Sequence, residues 1–298
     1  MSILFIGGTN IDYIATSDEP LISHSSNIGK LEISFGGVMR NVVENCARLG
    51  AECHFITIIG QDTLGKTIKK YMEDLGVKLY SPVTLLNTSS YIAINNNNHD
   101  MEVGINDMKI MDKLTPNFLA SLNELISKHD YIFLDSNLSP LTIDYIFKKY
   151  SDHKIVIEGI STTKILRYKL YINKIYMVKC NVYEARSIAD MKDGLVADVA
   201  LKILDMGAKS VVVSQGKGDI YYGENNQIKC FKLKTKDVFK GNTTGCGDAL
   251  FSGIADHISE GYSLKDSLEF ATKLSVLTLD SDKANNPEVS RYAYVHKK

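Results

Sequence analysis

The chain has no tryptophan, 5 prolines and 5 cysteines in 298 residues, and no surplus of either charge: 34 Lys and Arg stand against 35 Asp and Glu, a formal net charge of −1. Each scarcity excludes something. Balanced charge supplies no global field to hold a polyanion, so nucleic-acid or membrane-surface binding would need a local basic stripe. The longest basic cluster, the Lys-rich stretch 229–240, reads as a solvated edge of strands. The cysteines at 46, 53, 180, 230 and 246 are odd in number, lack a C-x-x-C pair and show no metal-like spacing with the 7 histidines. They read as free thiols in a reducing cytosol. No apolar run approaches the ~20 residues that a spanning helix needs. The start, MSILFIGGTNIDY, has only a short apolar run with no basic segment before it, so it reads as a first buried strand and not as a signal peptide. The expectation is a cytoplasmic protein that binds small molecules, with neither nucleic acid nor membrane as partner.

What is present is an alternation. Short apolar, β-branched runs at 3–7, 54–60, 131–135, 154–158, 174–179 and 210–214 are separated by amphipathic stretches such as 40–49, 64–75, 115–128 and 197–206. Continuous apolar strands divided by helices predict a parallel sheet covered on both faces, a doubly wound α/β fold. Two segments, 13–35 and 82–107, break this rhythm with alternating or polar text, and Asn95 to Asn98 read as a hairpin turn. With no repeat and no Pro- or Gly-rich linker, they predict a small β lid inserted into a single domain spanning 1–298.

One motif is discounted. GQDTLGKT at 60–67 satisfies the phosphate-loop pattern and lies between a predicted strand and helix, with Asp135 as a possible magnesium partner. Asp62, however, would put a carboxylate into a loop whose task is to surround phosphate with positive N–H groups, and Leu64 adds bulk there. A strand-to-helix turn is the better reading, and loss of Lys66 would separate the two.

Three other stretches carry chemistry. GNTTGCGDALFSGIADHI (241–258) is glycine-rich text ending in Asp248 and then a helical pattern. The N–H groups of Gly245, Cys246, Gly247 and Asp248 would be unpaired at that helix start and could converge on a phosphoryl group, while Asp248 could accept a proton from an attacking hydroxyl. An acidic residue complementing the helix dipole explains Asp248 equally well. GGVMRNVVENCARLG (36–50) puts Gly36 and Gly37 before a helix that carries Asn41. Such glycines let a polyol approach the backbone, and an Asn amide can bridge two hydroxyls. Asp12, read as the end of the first strand, could accept from the same hydroxyls. Asn181 and Glu184, in NVYE after a strand, could organise hydrated Mg²⁺, although spacing alone favours an N-cap with its capping-box Glu.

In order and separation, GG-x3-N, N-x-x-E and TTGCGD resemble the sugar-binding, magnesium/phosphate and anion-hole signatures of the ribokinase family of carbohydrate kinases, over nearly the whole chain. The resemblance implies a central sheet, a β lid over the acceptor, ATP along the carboxyl edge, Mg²⁺ near Asn181 and Glu184, and Asp248 as catalytic base with Gly245, Cys246 and Gly247 as the anion hole. It carries over Ser214, Gly216, Gly218, Thr244 and Asn181 as ATP contacts, and puts 283–287, with Asn285, around the adenine. The comparable G-x-D-x-x-G turn of the family accounts for 60–65. Within the family, Arg40 before Asn41, GINDM (104–108), LDSNLS (134–139), EGISTTK (158–164) and TLDSDKANNPEVS (278–290) are most similar to the pseudouridine kinases. That likeness implies phosphorylation of the 5′-hydroxyl of pseudouridine, with Asn106, Asp107 and Asn137 as candidates for the base and a homodimer formed through the lid. Three departures stand out. Asn242 replaces the Asp that opens the family run, which removes a carboxylate from a monovalent-cation site; Cys246 replaces Ala or Ser, and Cys180 replaces Pro. Another sugar or nucleoside kinase of the family, or a nucleoside sensor without activity, stays open on these motifs.

Overall fold

A computed structural model describes residues 2–233, 243–281 and 283–291. Asn242 and most of the Lys-rich stretch lie outside the described residues. In chain order the strands are β1 (Ser2–Ile6), β2 (Asn10–Ser17), β3 (Gly29–Gly36), β4 (Glu52–Ile56), β5 (Lys78–Tyr80), β6 (Ser90–Asn95), β7 (Met101–Asp107), β8 (Tyr131–Asp135), β9 (Lys154–Glu158), β10 (Met177–Asn181), β11 (Ser210–Ser214), β12 (Ile220–Glu224) and β13 (Gln227–Phe231). The helices are α1 (Val38–Arg48), α2 (Thr63–Asp74), α3 (Pro116–Ser121), α4 (Asn123–Ile126), α5 (Pro140–Lys149), α6 (Val182–Ala189), α7 (Val196–Asp205), α8 (Cys246–Ser259) and α9 (Leu264–Thr278).

The main sheet runs β13-β12-β11-β10-β9-β8-β1-β4-β5. From β11 to β5 every pairing is parallel, and β12 and β13 close one edge as an antiparallel hairpin. The continuous apolar strands divide their side chains between two cores because successive residues point to opposite faces. Leu4, Ile6, Ile132, Leu134, Ile155 and Ile157 pack with Ile143, Phe147 and Ile203 on one face. Ile3, Phe5, Phe133 and Val156 pack with Val42, Val43, Phe251 and Leu268 on the other. The doubly wound reading holds.

A second sheet, β3-β2-β6-β7, is separate from the first and is built from the segments read as a lid, the name kept for it below. Its β6–β7 turn contains the Asn run, with His99 N–H donating to Asn96 O. The lid begins three residues earlier than the alternation implied. Asp12 therefore does not end the first core strand, which stops at Ile6; it lies inside β2. The Gly7–Gly8–Thr9 turn separates the two, and nothing local in the text says that the chain changes sheet there. Two other boundaries also differ. The helix read at 115–128 is broken at Leu122, and the strand read at 174–179 starts at Met177 because Ile165–Lys174 forms 3₁₀ turns.

The chain leaves β1 toward β4 on one side and later fills β8 to β11 on the other. In such sheets the crevice for ligands opens outside the carboxyl ends where the order reverses, here between β1 and β8. Gly8 N–H donates to the fully buried Asp135 carboxylate across that point at 2.8 Å.

Candidate active site

Asp248 sits in the first turn of α8. That helix starts without a side-chain cap at Gly245, which is in the left-handed region at φ +82°. A Cβ at Gly245 would lie 1.9 Å from Ala284 O, so only glycine lets the segment 283–287 close over the helix start. The result is a helix N-terminus with its partial positive charge directed at the cleft, but the Cys246 N–H is not unpaired as expected: the tight turn at Gly245 folds it back to donate to Thr243 O at 3.3 Å.

From the facing helix α1, Asn41 Nδ2 donates to Asp248 Oδ2 at 2.6 Å. Gly37 precedes α1 with φ +99°, and a Cβ there would meet Gly8 O at 2.6 Å. That close approach brings α1 against the β1 turn and aims Asn41 inward. Burial pushes the Asp248 carboxyl up to about 6, opposed by the Asn41 hydrogen bond and the charges of Lys179 and Arg40. A carboxylate so tuned is still mostly ionised at neutral pH and is a stronger base than an exposed Asp.

Asp12 is half-buried in β2, where Asn10 Nδ2 donates to it at 2.5 Å; burial holds its carboxyl above the ordinary Asp range. Strand register puts Ser34, Asp12, Tyr91 and Asn106 in one cross-strand row on one face of the lid. Asn106 is exposed and two strands from Asp12, about 10 Å away at ordinary strand spacing. Asp107 points to the opposite face and is exposed. Asn137 is buried below, near Gly8, and accepts from Lys164 Nζ at 2.7 Å.

Along the carboxyl edge, Asn181 pairs in register with Ser214. The capping box is formed: Asn181 Oδ1 accepts from Tyr183 N–H and Glu184 N–H at 2.9 and 3.0 Å, and Glu184 Oε2 accepts from Asn181 N–H at 2.9 Å. Among the described residues no group of three or more His, Cys, Asp or Glu is placed to hold a metal directly. One amide and one carboxylate are too few to enclose Mg²⁺ and suit an ion that keeps most of its water. Gly216 and Gly218 lie in the exposed turn after β11, and Thr244 is exposed just before α8. Four strand steps separate β1 from β11, about 19 Å. Asn285 is buried and has both ends of its amide on α1, donating to Asn41 O at 2.8 Å and accepting from Arg40 at 3.1 Å.

Two charged residues of the cleft floor escaped the sequence reading. Lys179 Nζ donates to Glu158 Oε1 at 2.7 Å, both side chains are nearly fully buried, and Nζ lies 3.4 Å from where a Cβ on Gly247 would sit. Burial alone would lower Lys179, but Glu158, with Glu184 and Asp248, holds it above its ordinary value. It stays charged under the α8 terminus as half of a pair with Glu158, whose own carboxyl burial pushes up to about 8. The available signal was a lysine inside MVKC, since Lys is almost never fully buried unless paired.

The phosphate-loop alternative has no room. Asp62 caps α2 by accepting from Gly65 N–H at 2.8 Å and also accepts from Thr88 N–H at 2.5 Å, while Gly60 N–H donates to Thr88 Oγ1 at 3.1 Å. Those N–H groups are taken, and Lys66 is exposed on the helix. All five cysteines are free, and burial pushes the Cys246 thiol up to about 11, which removes thiolate chemistry there.

Comparison with known proteins agrees with this fold. The sequence model described as pfkB family carbohydrate kinase matches residues 1–291. A pseudouridine kinase of Escherichia coli (strain K12) is 30% identical over 299 residues, covering 97% of this chain and 93% of the relative. A ribokinase of Bacillus subtilis (strain 168) is 24% identical, covering 94% and 93%. The solved structure of the ribokinase of Arabidopsis thaliana, complexed with ribose and ATP, superposes with a TM-score of 0.83 at 16% identity, over 99% of this chain and 98% of that one, and bears on the fold alone.

Proposed function

The chain belongs to the pfkB family of carbohydrate kinases, and from that premise we propose that it transfers the γ-phosphate of ATP to the 5′-hydroxyl of pseudouridine, giving pseudouridine 5′-phosphate and ADP. The observation that carries phosphoryl transfer is the Asn41–Asp248 contact of 2.6 Å beside an uncapped helix start. Asn41 holds one oxygen of the carboxylate and leaves the other to accept the acceptor's hydroxyl proton. The α8 N–H groups and buried Lys179 provide positive charge where the transferred phosphoryl oxygens gather it. Because such transition states are loose, most of the rate comes from alignment, and proton removal is late. Asn181 and Glu184 would hold hydrated Mg²⁺, which neutralises phosphate charge when bound.

On the acceptor side, Asp12 and the second N–H of Asn41 Nδ2 take ribose hydroxyls, while Gly36 and Gly37 leave room for the Asp12 carboxylate and the Gly8 carbonyl, and not for the sugar as expected. Asn137 and Lys164, a polar pair on the floor, suit the carbonyl and N–H edge of a uracil ring, with Asn106 contributing from the lid. Ser214, Gly216, Gly218 and Thr244 lie on the nucleotide side in this reading.

The lid supports a homodimer. Leu31, Ile33, Ile92, Ile94, Val103 and Ile105 share the face opposite Asp12 and are all at least 36% exposed, an apolar patch on a thin sheet.

An acceptor panel tests the proposal: pseudouridine, uridine, inosine, ribose and fructose with MgATP, scored by ADP release. Pseudouridine is expected to have the highest kcat/KM. A tenfold preference for another acceptor overturns the substrate, and no ADP with any of them overturns the kinase.

A further inference from the structure

Arg40, in the first turn of α1, is 2% exposed, and its guanidinium reaches five partners. Nε donates to Gly36 O at 3.1 Å and Nη2 to Phe35 O at 2.8 Å, which holds the end of β3 where the lid joins the domain. Nη1 donates to Glu44, which also accepts from Arg48 and from Tyr71 Oη. Nη2 further donates to Asn41 Oδ1 and to Asn285 Oδ1. A neutral side chain could not satisfy that set, and lysine lacks the planar fork.

Two consequences follow. An Asn amide has one donor end and one acceptor end. By occupying Oδ1 of Asn41, Arg40 leaves Nδ2 for Asp248; the flipped amide would face an oxygen toward the carboxylate and an NH₂ toward the guanidinium. The same guanidinium ties the lid's base to Asn285, whose neighbour Ala284 abuts Gly245 at the start of α8. Displacement of either the lid base or the segment 283–287 is therefore felt at Asn41.

Resting on the kinase reading above, we infer that Arg40 is a positioning residue that couples the acceptor half of the cleft to the nucleotide half, so that binding of either substrate strengthens binding of the other. The coupling is reciprocal by linkage. Asp248, through which it is read, is faced by Asn41 and Arg40 from α1, Lys179 from β10, Glu158 from β9 and Asp135 from β8.

Calorimetric titration of a non-hydrolysable β,γ-methylene ATP, with and without saturating pseudouridine or whichever acceptor leads the panel, measures the coupling in the wild type and in R40K, R40M and N285A. The wild type is expected to show at least about fivefold tightening. R40M should bring this within about twofold of none, and R40K should retain part of it. R40M should also move the acid limb of the kcat profile upward, by up to about one pH unit, as the Asn41 amide becomes free to flip. N285A should weaken coupling without moving that limb. Absent coupling in an active wild type, or wild-type coupling in R40M, overturns the inference; a fall in Tm alone does so too. If R40M does not fold, wild-type coupling in folded R40K and N285A is equally fatal. A wild type that forms no ADP with any acceptor defeats the kinase reading instead.

Discussion

Asp248 illustrates a conflict between stability and chemistry in one side chain. Its carboxyl lies near 6 in the fold against an ordinary value of 3.8, so the folded state keeps the proton longer than the unfolded one. Stability is therefore whole below about pH 3.8, falls as pH rises toward 6, and stays reduced above it. Asp248→Asn should lower kcat by about 10²–10⁴ while leaving substrate binding in place. The same variant should melt a few degrees higher than wild type at pH 8, a gain on the order of 1–2 kcal/mol once solvent screening is allowed for, and the gain should vanish near pH 4. Steady-state kinetics and scanning calorimetry across pH check both halves; loss of activity with no pH-dependent gain in Tm would mean that Asp248 is not held above its ordinary value.

At the scale of elements, helix starts do the positioning, and they do it in two ways. Helices α2, α5, α6 and α9 have side-chain caps at Asp62, Ser139, Asn181 and Ser263, which fix where each begins. Helix α8 has glycine and no side-chain cap instead, so beyond the Cys246 N–H, which turns back to Thr243 O, its start is left for an anion. The capping box of α6 allows its structural role to be separated from a metal role. Glu184→Gln keeps an acceptor for Asn181 N–H and removes the charge. It should hold Tm within about 2 °C of wild type and raise the Mg²⁺ needed for half-maximal rate several-fold, read from Mg²⁺ titrations of initial rate. A large fall in Tm with unchanged Mg²⁺ demand would assign Glu184 to the cap alone.

At the scale of the molecule, the sheet has the proposed site at its carboxyl edge and a histidine pair toward the other. His54 and His129 are buried with rings 4.9 Å apart, and burial lowers both, with His129 and then Lys78 adding to the shift of His54. Their folded values lie below the unfolded 6.5, so this contribution is present at neutral pH and is lost as pH falls. The wild type should lose roughly 2–4 °C of Tm from these rings between pH 7 and 5, and His129→Gln should flatten that slope. Differential scanning fluorimetry at both pH values checks it. The lid predicts assembly: with Ile33 and Ile94 on an apolar face, Ile94→Glu should convert a dimer to a monomer and raise the acceptor KM by about tenfold or less. Light scattering behind size exclusion tests this, and a monomeric wild type would remove the lid interface.

The doubly wound core was legible because its strands are continuous apolar runs, and burial on both faces demands that composition wherever the sheet lies. The glycine-rich start of α8 and the N-x-x-E capping box were legible because each is a local arrangement, set by residues within a few positions of one another. Hairpin β12–β13 has its signal in the Asn225–Asn226 pair, a residue type that tolerates the positive φ both adopt at this tight turn. The Asp12 placement failed for want of such a signal. Gly7–Gly8 marks a turn in the text, but nothing local says that the chain leaves the core sheet there for a strand of the lid. Lys164, Lys179 and Glu158 acquire their meaning only from partners more than 20 positions away, such as Asn137 for Lys164, and Arg40 joins its near neighbours to Asn285, more than 200 positions on. Side-chain type and spacing thus determined the elements and the local caps. Which charges meet in the cleft, and which amide faces Asp248, was decided by packing helices α1 and α8 against one sheet edge, because pairwise contact across such separations is a property of the folded chain alone.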